Sequence, residues 1–258
     1  MLHYQYTKGA KIPLVFLHGY CEDLSMWTAF AEAFQEHSIL KVDLPGFGKS
    51  ATEEGLTLNK MAEGVDEVFN HLEIKEAILI GHSMGGYVAV ALSRLMGDKL
   101  KGLCMMHSHP FEDLPTTKDK RSKAITFIEE HGLEKFLDMV VPTFFAPALQ
   151  EKYKHVTTGL IAEAAMLSSQ AVINGMDAMR LRPDMRAWVE ELTCPYHCIL
   201  GTEDIPTPLA FCIPQITLAD ITKVTILDGV GHMGMFSAKE EVQTALKDFI
   251  YFCTNRIS

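Results

Sequence analysis

Short apolar runs recur along the chain, separated by polar and amphipathic intervals. The runs of strand length are Leu14–Leu17, Ile39–Val42, Ala77–Ile80, Gly102–Met106, Cys198–Leu200 and Val224–Leu227. A strand reads as an unbroken apolar run when both faces of its sheet are covered, which is the signature of parallel strands packed between helices. Leu2 to Thr7 can add one more strand at the start. The intervals carry helical spacing. Ala91 to Met96 belongs to a helix after the third run, and Glu241 to Tyr251 forms the last helix, with Val242, Leu246, Phe249 and Ile250 on one stripe. The expected fold is α/β: a mostly parallel sheet of seven or eight strands flanked by helices.

The alternation is interrupted once. Between Ser108 and Cys194 no run reads as a strand, whereas Leu133, Phe136, Leu137, Val140 and Val141 repeat at helical spacing and a second helical pattern runs from Leu160 to Met179. Helices inserted between two strands are expected to close over the strand ends. The chain thus divides into a core, residues 1–109 and 187–258, and a helical cap (lid) insertion, residues 110–186. No repeat, low-complexity tract or Gly/Ser-rich linker marks off an independent domain.

The third run leads into Gly81-His82-Ser83-Met84-Gly85, and helical spacing starts at Gly86-Tyr87-Val88. A serine flanked by glycines on a strand-to-helix turn is a candidate nucleophile. Such a turn is too sharp for a Cβ at either flank, and the strained serine projects its hydroxyl from the sheet end. Met84 and Gly85 open the helix, so their free backbone N–H groups face the same point.

A serine hydroxyl is a poor nucleophile near neutral pH; it needs a base, and the base needs an acid to orient it. His232 follows the last run and the turn Gly229-Val230-Gly231 and precedes the final helix, which puts it at the same sheet edge as Ser83. The loop after the preceding run, Gly201-Thr202-Glu203-Asp204, supplies Asp204 as the acid, with Glu203 a near rival and Asp228 a more distant one. Ser83, Asp204 and His232 then form a catalytic triad. An oxyanion hole needs two backbone donors. They fall to Met84, after the nucleophile, and to Tyr20 in the early loop His18-Gly19-Tyr20.

Composition narrows the function classes. The 258 residues, 48% hydrophobic and 22% charged, can bury a full core, and no apolar stretch is long enough to span a bilayer. A formal charge of −10 disfavours nucleic acid, whose binding rests on Lys and Arg neutralising phosphates. Cys21, Cys104, Cys194, Cys198, Cys212 and Cys253 are scattered, and Cys194-Pro195-Tyr196-His197-Cys198 lacks a second ligand pair, so neither a disulfide scaffold, a metal nor another cofactor is expected. The start, Met1 to Tyr6, has no basic segment followed by an apolar one, and a cytoplasmic location is the expectation.

Several of these motifs together resemble the α/β-hydrolase fold superfamily, in its small, lidded, esterase-like branch. The matching residues are His18-Gly19-Tyr20 with Trp27 following, Asp43-Leu44-Pro45-Gly46-Phe47-Gly48-Lys49-Ser50, Gly81-His82-Ser83-Met84-Gly85-Gly86, Gly201-Thr202-Glu203-Asp204 and Gly231-His232. They cover most of the chain outside the insertion, and Gly175 to Arg180 with Arg182-Pro183-Asp184 matches where the lid returns to the core. The resemblance implies that Asp43 to Ser50 is a structural turn beside the site and not a catalyst. The superfamily usually has a longer N-terminal hairpin than Leu2 to Thr7 allows, which points to seven strands rather than eight. Serine as nucleophile argues against the aspartyl-ester chemistry of haloalkane dehalogenases and epoxide hydrolases.

Met84, Met105, Met106, Met233 and Met235 fall at strand ends or beside the triad, and Phe111, Phe144 and Phe145 begin or cross the insertion. With Tyr20 and with His107 and His109 at the mouth, they suggest an apolar, adaptable acyl or alcohol pocket. The leading expectation is a serine hydrolase cleaving a small or medium apolar carboxylic ester through an acyl-enzyme. Alternatives are a ligand receptor of the same fold with slow turnover, or a carbon–carbon bond hydrolase, thioesterase or lyase using the same triad. The expected partner is a small-molecule apolar ester, with neither nucleic acid nor membrane.

Overall fold

Leu14, Val15, Phe16 and Leu17 are fully buried in strand β2 (Lys11–Leu17), at the centre of the molecule. β2 pairs in parallel with β3 (His37–Val42) and β4 (Ala77–His82). The parallel sheet continues through β5 (Leu100–Met106), β6 (Tyr196–Gly201) and β7 (Thr222–Leu227), while β1 (Tyr4–Thr7) lies antiparallel to β3 at the other edge. The computed structural model describes residues 1–255, and among these the sheet has seven strands in the order β1-β3-β2-β4-β5-β6-β7. Each apolar run became a strand. Helices Leu58–His71, Met84–Met96 and Lys239–Thr254 flank the sheet, the last placing Val242, Leu246, Phe249 and Ile250 in the core.

Two local expectations fail. β7 is not buried on both faces: Lys223 and Thr225 turn towards the last helix, where the Lys223 ammonium donates to the Ala245 carbonyl, while Val224 and Ile226 are 37% and 46% exposed. An edge strand has a neighbour on one side only, and here one face is also left partly open. The pattern from Leu160 to Met179 is two helices, Lys154–Ala164 and Ser169–Arg180, bent by 105°. The Ser168 hydroxyl accepts the Ala171 N–H at 3.1 Å and so starts a new helix where periodicity alone reads a continuous one. No single helix among the described residues is long and apolar enough to cross a membrane.

The inserted helices leave the sheet after β5 and return before β6, and their two ends meet: the Met185 N–H donates to the Pro110 carbonyl at 2.8 Å. Contacts to the sheet lie at the end where β2, β4 and β7 finish. The Tyr20 hydroxyl donates to the Val172 carbonyl at 2.8 Å, and the His232 N–H donates to the Phe144 carbonyl at 2.7 Å.

The interior holds several neutral imidazoles. Burial pushes His107 down to about 4, and His109 and His197 down to about 3. Because the folded values lie below the ordinary histidine value of about 6.5, the unfolded chain takes up protons first as the pH falls. The contribution of these three histidines to stability is therefore complete above about pH 6.5 and declines below it, by on the order of 1 kcal/mol per histidine per pH unit until the folded values are reached. Urea midpoints measured from pH 7 to pH 5 should fall steadily. A constant midpoint over that range contradicts this account.

Candidate active site

β4 ends at His82, and the helix Met84–Met96 begins one residue later, so Ser83 alone makes the turn. It does so at φ 49° and ψ −116°, a left-handed conformation that L-residues adopt only under constraint. The constraint is close packing. A Cβ at Gly85 would stand 2.3 Å from the Leu17 carbonyl oxygen, and one at Gly81 would stand 2.4 Å from the Gly85 carbonyl oxygen. The helix start is thereby pressed against the end of β2, next to His18-Gly19-Tyr20.

Asp204 follows β6 and is buried, yet it is ionised. Burial alone would raise its pKa, but His232, together with hydrogen bonds from His107 and His232, holds it well below the usual carboxylate range. The His232 Nδ1–H lies 3.0 Å from Oδ1 and 2.9 Å from Oδ2, and the His107 Nδ1–H lies 3.0 Å from Oδ2. Thr207 adds its N–H to Oδ1 at 2.8 Å and its hydroxyl to Oδ2 at 2.7 Å. Since a carboxylate only accepts, the proton of His232 sits on Nδ1, which leaves Nε2 free to act as a base. Glu203 and Asp228, the rival acids, are exposed and hydrogen-bond neither histidine.

A second buried carboxylate lies on the other side of His232. Glu22 accepts the Gly19 N–H at 2.6 Å and the His82 Nδ1–H at 3.0 Å, and the His82 Nε2–H donates to the His232 carbonyl at 2.9 Å. Both ring nitrogens of His82 face acceptors, which calls for the imidazolium. Burial opposes that charge, but Glu22 outweighs it and raises the His82 pKa, while His82 lowers that of Glu22 in return. One carboxylate thus ties the early loop, the residue before Ser83 and the loop carrying His232.

Ser83 and His232 open into a cavity of about 390 Å³. Its wall includes Tyr20, Glu22, Tyr87 and Thr207 near the sheet and Phe136, Val140, Phe144, Met176 and Met179 from the inserted helices. A larger surface depression, about 980 Å³, lies between residues 32–37 and the last helix and touches none of these groups.

Residues 14–244 match the sequence profile of the Alpha/beta hydrolase family. The chain belongs to that family. Among curated relatives, the hydrolase is 39% identical over 98 residues to a protein of Haemophilus influenzae named as a candidate esterase/lipase, a match covering 38% of this chain and 34% of that one. It is 28% identical over 205 residues to 2-succinyl-6-hydroxy-2,4-cyclohexadiene-1-carboxylate synthase of Citrobacter koseri, covering 74% and 77% of the two chains. Among solved structures, a thermophilic esterase from Thermogutta terrifontis superposes with a TM-score of 0.90 at 24% identity, covering 98% of this chain and 93% of that one.

Not every residue expected in the pocket of this hydrolase reaches it. Tyr20 and Phe144 line the cavity. His107 is spent on Asp204 beside His232, and Phe111 stacks on His109 with ring centres 5.6 Å apart. Phe145 turns away to stack on Tyr153 at 5.2 Å, because the backbone leaves a helical turn for an extended conformation at that residue. Met233 is fully buried in the core. Conversely, Glu22, Thr207, Tyr87, Lys120 and Arg121 border the cavity without a motif in the sequence that marks them. Thr207 stands three residues after Asp204, a spacing that signals a side chain capping its own turn, whereas the Glu22–His82 pair is far apart in sequence.

His107, Asp204 and His232 could offer a metal three ligand atoms within 4.8 Å of one another. Both imidazoles already donate to the carboxylate at hydrogen-bonding distance, so a metal would have to displace those protons.

The Glu22 bonds generate a prediction. Glu22→Gln should lower kcat by about 10²-fold with little change in KM, since small misplacements of reacting groups carry costs of that size. The measurement is steady-state kinetics beside a melting curve, and a rise in KM at constant kcat contradicts it.

Proposed function

We propose that the protein hydrolyses a carboxylic ester through Ser83, His232 and Asp204. The observation that carries this reading is the ionised, buried Asp204 bound to His232 Nδ1, with the base and the strained Ser83 opening into one cavity. His232 Nε2 takes the Ser83 proton as Oγ attacks the ester carbonyl. The negative charge on the carbonyl oxygen is met by the backbone N–H groups of Tyr20 and Met84. Collapse of the tetrahedral adduct breaks the bond to the alcohol oxygen, which leaves with the proton from His232. Water, deprotonated by the same nitrogen, then attacks the acyl-enzyme, and the acid and free Ser83 are released. Residues 110–186 act as a cap that shapes the cavity and supplies none of this chemistry.

Esterase and lipase names among the relatives support the reading. A fluorophosphonate should label Ser83, and Ser83→Ala should abolish both labelling and turnover of a panel of p-nitrophenyl esters. Labelling that survives Ser83→Ala removes the proposal. Asp204→Asn should reduce kcat by roughly 10³- to 10⁴-fold, the scale seen when a serine hydrolase loses control of the tautomer of its base.

The adjacent phenylalanines of the cap should behave differently. Phe144→Ala should alter the KM ratio between short and long acyl esters, because Phe144 borders the cavity. Phe145→Ala should instead destabilise the fold by about 3–5 kcal/mol, as truncation of a buried aromatic does. Ester kinetics and urea unfolding of the pair separate the two roles.

A further inference from the structure

The helix Pro115–His131 turns Thr117, Lys120, Arg121 and Ala124 to the cavity, at the spacing of one helical face. Arg121 sits deep in this wall. Its Nε–H donates to Asp113 at 2.5 Å, but the partners of its Nη1 are the sulfurs of Met176 and Met179, each at 3.6 Å. A thioether is a weak acceptor for a guanidinium. Asp113 cannot balance the charge either, because it is shared: Arg182 Nη1 lies 2.7 Å from its other oxygen, and Arg182 is fully buried against the Tyr87 ring, 4.1 Å away. Burial would raise the Asp113 pKa, but the two guanidinium groups lower it, so the cluster holds one negative charge against two positive ones. Lys120, exposed at the rim, adds a cation with no ion pair among the described residues.

Resting on the proposed ester hydrolysis, we propose that the substrate carries a free carboxylate, which binds Arg121 at the cavity wall while its ester lies at Ser83. The planar guanidinium fits a carboxylate in two parallel hydrogen bonds, and the uncompensated charge supplies the attraction. The cavity that Arg121 and Ser83 share is also lined by Phe136, Val140, Phe144, Met176 and Met179, a largely apolar surface for the part of the substrate that joins the two groups. The substrate class is therefore a hemiester or similar molecule with an apolar spacer between ester and carboxylate.

The test compares monomethyl adipate with methyl 6-methylheptanoate, in which an isopropyl group replaces the carboxylate. A third substrate, 6-acetoxyhexanoate, carries the carboxylate on the alcohol side. The wild-type protein should favour at least one charged ester by about tenfold or more in kcat/KM, and Arg121→Met should lower that preference by about 10- to 100-fold, the range for a charge-assisted bond. Lys120→Gln should lower it several-fold, in a salt-dependent way. Asp113 keeps Arg182 in the Arg121 variant, and melting curves check the fold. Equal kcat/KM for charged and neutral esters overturns the inference, as does an Arg121→Met variant that slows all three alike.

Calorimetric binding of monomethyl adipate to Ser83→Ala, with and without Arg121→Met, reads the subsite without turnover. If no ester is cleaved and Ser83 is not labelled, ester hydrolysis fails, yet binding that depends on Arg121 still supports the anion subsite and its absence overturns it. If neutral esters are cleaved without any preference for charge, the subsite alone fails.

Discussion

An anion enclosed by protein must be surrounded by donors, because water is no longer there to solvate it. Asp204 meets this demand with two imidazole N–H groups, one backbone N–H and one hydroxyl. The donors come from the ends of β5, β6 and β7, so the parallel register of those strands brings His232 and His107 to Asp204. The arrangement has a cost: His107, neutral and buried, leaves its Nε2 without a hydrogen-bond partner among the described residues. Its other nitrogen is spent on holding the carboxylate.

Glu22 repeats the principle on the opposite side of His232 with a different outcome. There the histidine carries the charge, and the ion pair anchors backbone, through the His232 carbonyl. His232 is thereby gripped twice, at its ring by Asp204 and at its carbonyl by His82. A third grip comes from the inserted helices, through the Phe144 carbonyl. His232 is thus held by a carboxylate and by backbone hydrogen bonds, and not by apolar contact alone.

The sheet was legible because runs such as Leu14–Leu17 and Ala77–Ile80 are buried on both faces, and such burial leaves no alternative pattern. β7 misled because an edge strand can carry the same residues with one face open. Ser83, Asp204 and His232 could be singled out in the sequence because each sits near a strand end marked by glycines, a local signal, and the structure brings Asp204 and His232 into hydrogen-bonding contact. Glu22 with His82, and Arg121 and Arg182 with Asp113, were not, because those pairings cross elements and no short spacing records them. Phe144 and Phe145 show the limit at single-residue scale: adjacent aromatics separate into wall and core according to one backbone turn that composition does not encode.

The hydrogen bond joining Met185 to Pro110 makes the inserted helices a loop with a closed neck. Lengthening a loop whose ends are already joined adds little entropy, about 0.6 kcal/mol for each doubling. The stem can therefore carry inserts of very different size while β5 and β6 keep their pairing. The insertion and the sheet ends are accordingly separable in the genetic sense: one can drift, be exchanged or be grafted from another protein while the other stays under constraint.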